Sequence, residues 1–207
     1  MSDKIEFLDN FFYFLNNENF NFAILRGFNN LDSCTIHNDL DILIEDYEHK
    51  KLSKYFFNNQ FSKRIDKFDY LYGAKPHIHF LNNNLDLHFD IVDGLYYCSL
   101  NDNRTFLPVD DQVTQSLLKN KLPVKNYFIP RSEDELLHLV CHCFYDKKKF
   151  ATKHVIRIHE LLDSINVDYF LKLLKLVFGS MYKIIFTHIQ RNSFDNFHNE
   201  IISYSEY

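Results

Sequence analysis

Residues 39–44 read Asp-Leu-Asp-Ile-Leu-Ile, and no other stretch restricts the fold as much. Side chains of an extended chain alternate between two faces. Asp39 and Asp41 therefore share one face, and Leu40, Ile42 and Ile44 share the other. Three apolar side chains on one side require a sheet that covers a core. Two carboxylates on the opposite side cost desolvation and repel each other. A divalent cation is the usual compensation, because hard cations take oxygen ligands. The segment predicts a core strand with a metal-binding face.

The flanking pattern supplies the rest of an α+β core. Ile5, Phe7, Leu8, Phe11, Phe12 and Leu15 have helical spacing. Phe22-Ala23-Ile24-Leu25, closed by Arg26-Gly27, reads as a buried strand. A polar loop over 29–38 leads to the Asp39 strand, and a helix follows over 47–57. His77 to Leu81 and Leu85 to Val92 read as two strands joined by Asn82-Asn83-Asn84, since Asn tolerates a turn's positive φ. After Gly94 the pattern loosens until Pro130. Ser132 and Glu135 form a capping box for a helix over 133–145. Helices over 153–162, 168–178 and 181–190 follow, with Gly179-Ser180 as a C-cap. The order predicts an α+β core over residues 1–130 and a helical C-terminal region over 131–207.

A chain of 207 residues with 46% hydrophobic and 25% charged composition is globular and long enough to hold a core without disulfides. The net charge of −5, with Lys147-Lys148-Lys149 as the densest basic run, weighs against a nucleic-acid substrate. Cys34, Cys98, Cys141 and Cys143 are irregularly spaced, and the N-terminus leads directly into an amphipathic helix. They read as reduced thiols of a cytoplasmic protein. No apolar run reaches the ~18 residues of a membrane span.

A third carboxylate lies on the Leu85–Val92 stretch, where Asp86, His88 and Asp90 alternate with Leu85, Leu87, Phe89 and Ile91. The bland reading is an edge strand with a solvated acidic face; the sharper one is a third metal ligand. Alternation alone does not choose between Asp86 and Asp90. At ~3.3 Å per residue they stand about 13 Å apart along a strand, too far to share ions held ~3.5–4 Å apart.

These segments resemble the DNA polymerase beta-like nucleotidyltransferases, which carry an apolar strand ending in Gly, a loop, an Asp-x-Asp strand and a later strand with a third acid. Leu25-Arg26-Gly27, Asp39-Leu40-Asp41-Ile42-Leu43-Ile44, Asp86-Leu87-His88-Phe89 and the helix from Glu133 to His142 are similar to a bacterial branch of uncharacterised nucleotidyltransferases. The resemblance covers roughly residues 22–145. It implies a nucleotidyltransferase-like mixed β-sheet flanked by helices. It also implies Asp39, Asp41 and Asp86 as catalytic residues and ligands of two Mg²⁺ ions, with Mn²⁺ able to substitute. Arg26, Gly27, His88 and Lys153 would contact the nucleotide. Phe28 departs from the pattern, which usually has Ser or Gly after the Gly.

The implied activity moves a nucleoside monophosphate from a nucleoside triphosphate to a small-molecule or protein acceptor. Two alternatives accompany it: transfer of a phospho-substituent in surface glycan biosynthesis, and a non-catalytic partner with the same fold, such as a toxin–antitoxin component. His138, Cys141 and His142 share a helix face, which fits either packing or a zinc site. His77 and His79 fit either the core or the cleft. Lys153 and Arg157 fit either a solvated face or contact with the triphosphate.

Overall fold

The computed structural model describes residues 2–28, 31, 39–45, 47, 50–102 and 104–194. The predicted loop over 29–38, except for Leu31, lies outside them, and Cys34 with it. Helix α1 (Ser2–Asn17) precedes β1 (Phe22–Arg26), β2 (Asp39–Ile44), α2 (Lys50–Asn58), β3 (Ser62–Ile65), β4 (Asp69–Tyr70), β5 (Ile78–Asn82) and β6 (Leu87–Val92). Then come β7 (Tyr96–Cys98), β8 (Thr105–Pro108), α3 (Asp111–Asn120), β9 (Leu122–Val124) and β10 (Tyr127–Ile129). The last part holds α4 (Ser132–Cys141), a π-turn (His142–Asp146), α5 (Thr152–Leu162), α6 (Val167–Phe178), a short 3₁₀ turn and α7 (Tyr182–Arg191).

The main sheet has the order β1-β2-β6-β5-β3. β2 and β6 run parallel, and the other pairs are antiparallel. A parallel pair needs a crossover, and the chain from α2 through β5 supplies it. Two small sheets, β4-β8-β7 and β9-β10, complete the fold. This is the α+β architecture expected from the sequence.

Alternation sends the two faces of the sheet into two cores. Phe22, Ile24, Leu40, Ile42, Ile44, Phe80, Phe89 and Ile91 pack against α1 and α2. That layer is aromatic: Phe56 stacks on Phe80 with ring centroids 4.0 Å apart, and Phe11 meets Phe89 edge-on at 5.0 Å. Each fully buried Phe contributes about 1.5–3 kcal/mol. Ala23, Leu25, Leu43 and Val92 face the other way and join α3, α4, α6 and α7. The helical region therefore packs on the second face of the sheet.

Three local expectations change. Ser132 does not cap α4. The N-cap is Arg131, without a side-chain bond, and the Glu135 carboxylate instead takes Arg157 Nε and Nη2 at 2.7 and 2.8 Å. The helix read through Tyr145 changes to a π-turn at His142. The stretch before Pro130 that reads as loose contains α3 and four short strands. Asp110 caps α3, accepting from the Gln112 N–H at 2.9 Å.

Candidate active site

The polar site grows out of strand register. The parallel β2–β6 pairing sets Asp39 beside His88 and Asp41 beside Asp90. On β5, His79 stands beside Asp90. On β1, register shifts between Ile24 and Arg26, so Arg26 pairs with Asp41. Simple alternation would turn Arg26 to the face of Ile24; the bulge re-aims it toward Asp41. Arg26, Asp41, Asp90 and His79 thus form one row across four strands. Along the same face the next residues, Leu43 and Val92, are buried under the helical layer. The acidic end remains open as a cavity of about 210 Å³, lined by Arg26, Asp41, Asp90 and His77 on one side. His138, His142 and Asp146 line the opposite side.

Asp86 is not in this row. The strand starts at Leu87, which pairs with Asn82, leaving 83–86 as the turn. Asn82 Oδ1 accepts from the Asn84 and Leu85 N–H groups at 2.9 and 3.0 Å, and Asp86 closes the turn at φ +50°. Its side chain is exposed. The expectation that Asp86 joins Asp39 and Asp41 is therefore corrected. The carboxylate beside Asp41 is Asp90, four residues on. The turn consumes the residues that looked like the first part of the strand.

Asp41 is nearly enclosed, with a side-chain exposure of 14%, and ion-pairs with Arg26. Burial pushes its carboxyl up; Arg26 pulls against this, and Asp90 adds to it. Burial also opposes ionisation of Asp90, but the bond from His77 and the charges of His77, His79 and His88 outweigh it and hold that carboxyl below its ordinary value. His77 Nδ1 donates to Asp90 Oδ2 at 3.3 Å. Burial opposes the His77 charge, yet Asp90 raises its pKa above the ordinary value. Asp90 Oδ1 is buried without a hydrogen-bond partner. Asp39 lies at the rim, 75% exposed, with Oδ1 2.9 Å from His88 Nδ1. His88 Nε2 meets His79 Nδ1 at 3.0 Å, and His79 Nε2 lies 3.0 Å from Asp66.

Among the other predicted contacts, Gly27 has φ +86°, and a Cβ there would stand 2.6 Å from the Asp39 carbonyl oxygen. It is required for the approach of β1 to β2. Phe28 packs against the aromatic core, which explains how a large residue fits after that glycine. Lys153 is exposed on the first turn of α5. Arg157 is committed to Glu135 and, at 3.0 Å, to Glu160.

The helical wall contributes residues that the sequence reading left between two meanings. His142 Nε2 accepts from Arg26 Nη1 at 2.6 Å, and Nδ1 donates to Asp146 Oδ2 at 3.0 Å. His138 Nδ1 bonds to the Tyr97 hydroxyl at 2.8 Å. His142 thus has both ring nitrogens committed, whereas His138 Nε2 is buried without a hydrogen-bond partner. Asp146 stands four residues after His142, a one-turn spacing readable in the sequence. Asp66 carried no such signal.

Among the described residues, no group of three or more His, Cys, Asp or Glu side chains is arranged as a ready metal site. The chemistry of the acid pair nonetheless suits a hard cation. Asp41 and Asp90 are adjacent oxygen donors; Asp90 Oδ1 makes no hydrogen bond and ion-pairs with His77 Nδ1 at 3.2 Å. Asp39 lies on the same face at the rim.

No family model and no curated protein sequence matches the chain. A solved structure does: the solution structure of the antibiotic-resistance factor ANT(2'')-Ia, an aminoglycoside nucleotidyltransferase. The likeness covers 92% of this chain and 98% of that one, with a TM-score of 0.53 and 11% sequence identity. The chain has a nucleotidyltransferase fold. Among the described residues, no helix is long and apolar enough to cross a membrane.

Proposed function

We propose that the protein is a Mg²⁺-dependent nucleotidyltransferase that moves a nucleoside monophosphate from a nucleoside triphosphate to a small-molecule or protein acceptor. The observation that carries this reading is the Asp41–Asp90 pair, adjacent on parallel strands and facing a cavity. Asp41 and Asp90, with Asp39 at the rim, would hold Mg²⁺. When bound, the ion supplies charge neutralisation and Lewis acidity to the transferring phosphorus.

The chain's own groups divide the remaining work. Asp90, held by His77, accepts the hydrogen of an acceptor hydroxyl and aligns it; the lowered pKa of this carboxyl suits alignment better than storage of the proton. Lys147 lines the cavity with Arg26, and Lys153 stands on the first turn of α5. Burial and then the charges of His142, Lys153, Arg26 and Lys147 push His154 down to about 4. That positive field favours the phosphates of a nucleotide. The cavity of about 210 Å³ has room for the reacting part of an acceptor.

The test combines Mg²⁺-dependent thermal stabilisation by each of four nucleoside triphosphates with pyrophosphate release in the presence of hydroxylated acceptors, an aminoglycoside among them. Stabilisation by at least one triphosphate and acceptor-dependent release are expected. Neither effect with any of the four would overturn the reading.

A further inference from the structure

We infer that Arg26 is a resident counter-cation of the acid pair, parked there by His142 and Asp146, and that a divalent cation binds only by displacing its guanidinium from Asp41. This rests on the reading that Asp41 and Asp90 hold a divalent cation.

The donors and acceptors fix the direction of each bond. Arg26 Nε and Nη2 both reach Asp41 Oδ2. Nη1 donates to His142 Nε2. Arginine has no acceptor, so His142 Nε2 presents its lone pair and Nδ1 carries the hydrogen given to Asp146 Oδ2. Asp146 Oδ1 in turn accepts from the Cys98 backbone N–H at 2.9 Å. A continuous hydrogen-bonded chain thus links the β7 backbone through Asp146, His142 and Arg26 to Asp41, with Asp146 accepting from both sides and Arg26 donating to both. His142 is buried, so the chain is built into the interior side of the cavity.

The guanidinium holds Asp41 Oδ2; an ion on either oxygen of this enclosed carboxylate would stand against that positive charge, and the repulsion drives the guanidinium off. Asp90 is compensated differently: His77 Nδ1 bonds its Oδ2 at 3.3 Å and stands 3.2 Å from Oδ1. Two largely enclosed carboxylates therefore persist without metal, one covered by Arg26 and one by His77. Once displaced, Arg26 stays tethered to His142 within the same cavity. His142 and Asp146 are positioning residues that act through Arg26.

The probe is Mn²⁺ alone, without nucleotide, with free ion read by electron paramagnetic resonance. The full chain is compared with Arg26→Gln, His142→Phe and His142→Gln, each checked for native circular dichroism. Arg26→Gln should bind Mn²⁺ about tenfold tighter or more. His142→Phe should bind several-fold tighter, and His142→Gln, whose amide oxygen can accept the Nη1 bond, should return close to wild type. Unchanged or weaker binding by Arg26→Gln overturns the counter-cation role. Unchanged binding by His142→Phe overturns the positioning role. No Mn²⁺ binding by any of the four proteins at millimolar concentration overturns the metal site itself, which is a different failure. Should Arg26→Gln not fold, the wild-type Arg26 Nε–H resonance decides. It should move on Mg²⁺ saturation, and a fixed resonance in the Mg²⁺-bound protein refutes the displacement.

Discussion

Replacing Gly27 with Ala tests how tightly the site depends on the β1–β2 approach. Two costs add. The backbone at φ +86° lies where an L side chain is strained, which costs roughly 1–2 kcal/mol. The new methyl would also stand 2.6 Å from the Asp39 carbonyl oxygen and 3.1 Å from Leu40 Cδ2. Normal contact requires β1 and β2 to part by several tenths of an ångström at the point where Arg26 meets Asp41. Disturbing a packed strand pair in this way costs a further ~1–3 kcal/mol. The expected loss is about 2–5 kcal/mol, which for a domain of this size lowers Tm by roughly 5–15 °C. Urea unfolding of wild type and Gly27→Ala, followed by circular dichroism, measures it directly. A loss below about 0.5 kcal/mol, the range of ordinary surface changes, would refute the close-approach argument and leave Gly27 free for a ligand.

Asp134 is buried with both carboxylate oxygens lacking hydrogen bonds, and burial raises its pKa to about 6. A raised carboxyl destabilises the fold when ionised, so this contribution worsens as pH climbs from about 4 through 6. Asp134→Asn should therefore gain up to ~3 kcal/mol at pH 7 and nothing at pH 3.5; equal effects at both pH values in denaturant titrations would contradict it. Arg157→Met strands the Glu135 carboxylate and should cost about 2 kcal/mol. Glu135→Gln in the same chain should recover most of that, as a double-mutant cycle will show; loss of nucleotide affinity without loss of stability would instead make Arg157 a ligand contact. With a net charge of −5, the protein should show no salt-sensitive binding to duplex DNA or tRNA at physiological ionic strength in a filter assay. Submicromolar binding would reverse the choice of acceptor class.

The parts of the site that follow from alternation were legible in the sequence. Asp39 and Asp41 share a strand face because nothing interrupts residues 39–44. The third acid was not decided by alternation, because Asp86, His88 and Asp90 all fit one face. The Asn-rich turn decides which of them stands beside Asp41: Asn82 still pairs in the sheet, its side chain caps the turn, and Asp86 adopts positive φ. That choice depends on where pairing begins, which local composition does not encode. Arg26 is similar. Its place beside Asp41 depends on a one-residue bulge that β1 alone does not announce. The edge strand β3, Ser-Lys-Arg-Ile, is exposed along its whole length and so has no apolar period. In α4 Glu135 reads from the sequence as half of a capping box, yet it and Glu133 are buried; their partners, Arg157 and the Asn166 N–H, lie more than twenty residues away.

The measurement that bears most directly on the account is a comparison of Asp90→Asn with Asp86→Asn in Mg²⁺-dependent pyrophosphate release, using the triphosphate that gives the highest wild-type rate. Asp90→Asn keeps the shape of the side chain and removes its charge beside Asp41, and should lower the rate by about 10²-fold or more. Asp86→Asn alters an exposed turn residue and should stay within about twofold of wild type. Full activity in Asp90→Asn together with loss in Asp86→Asn would contradict the account.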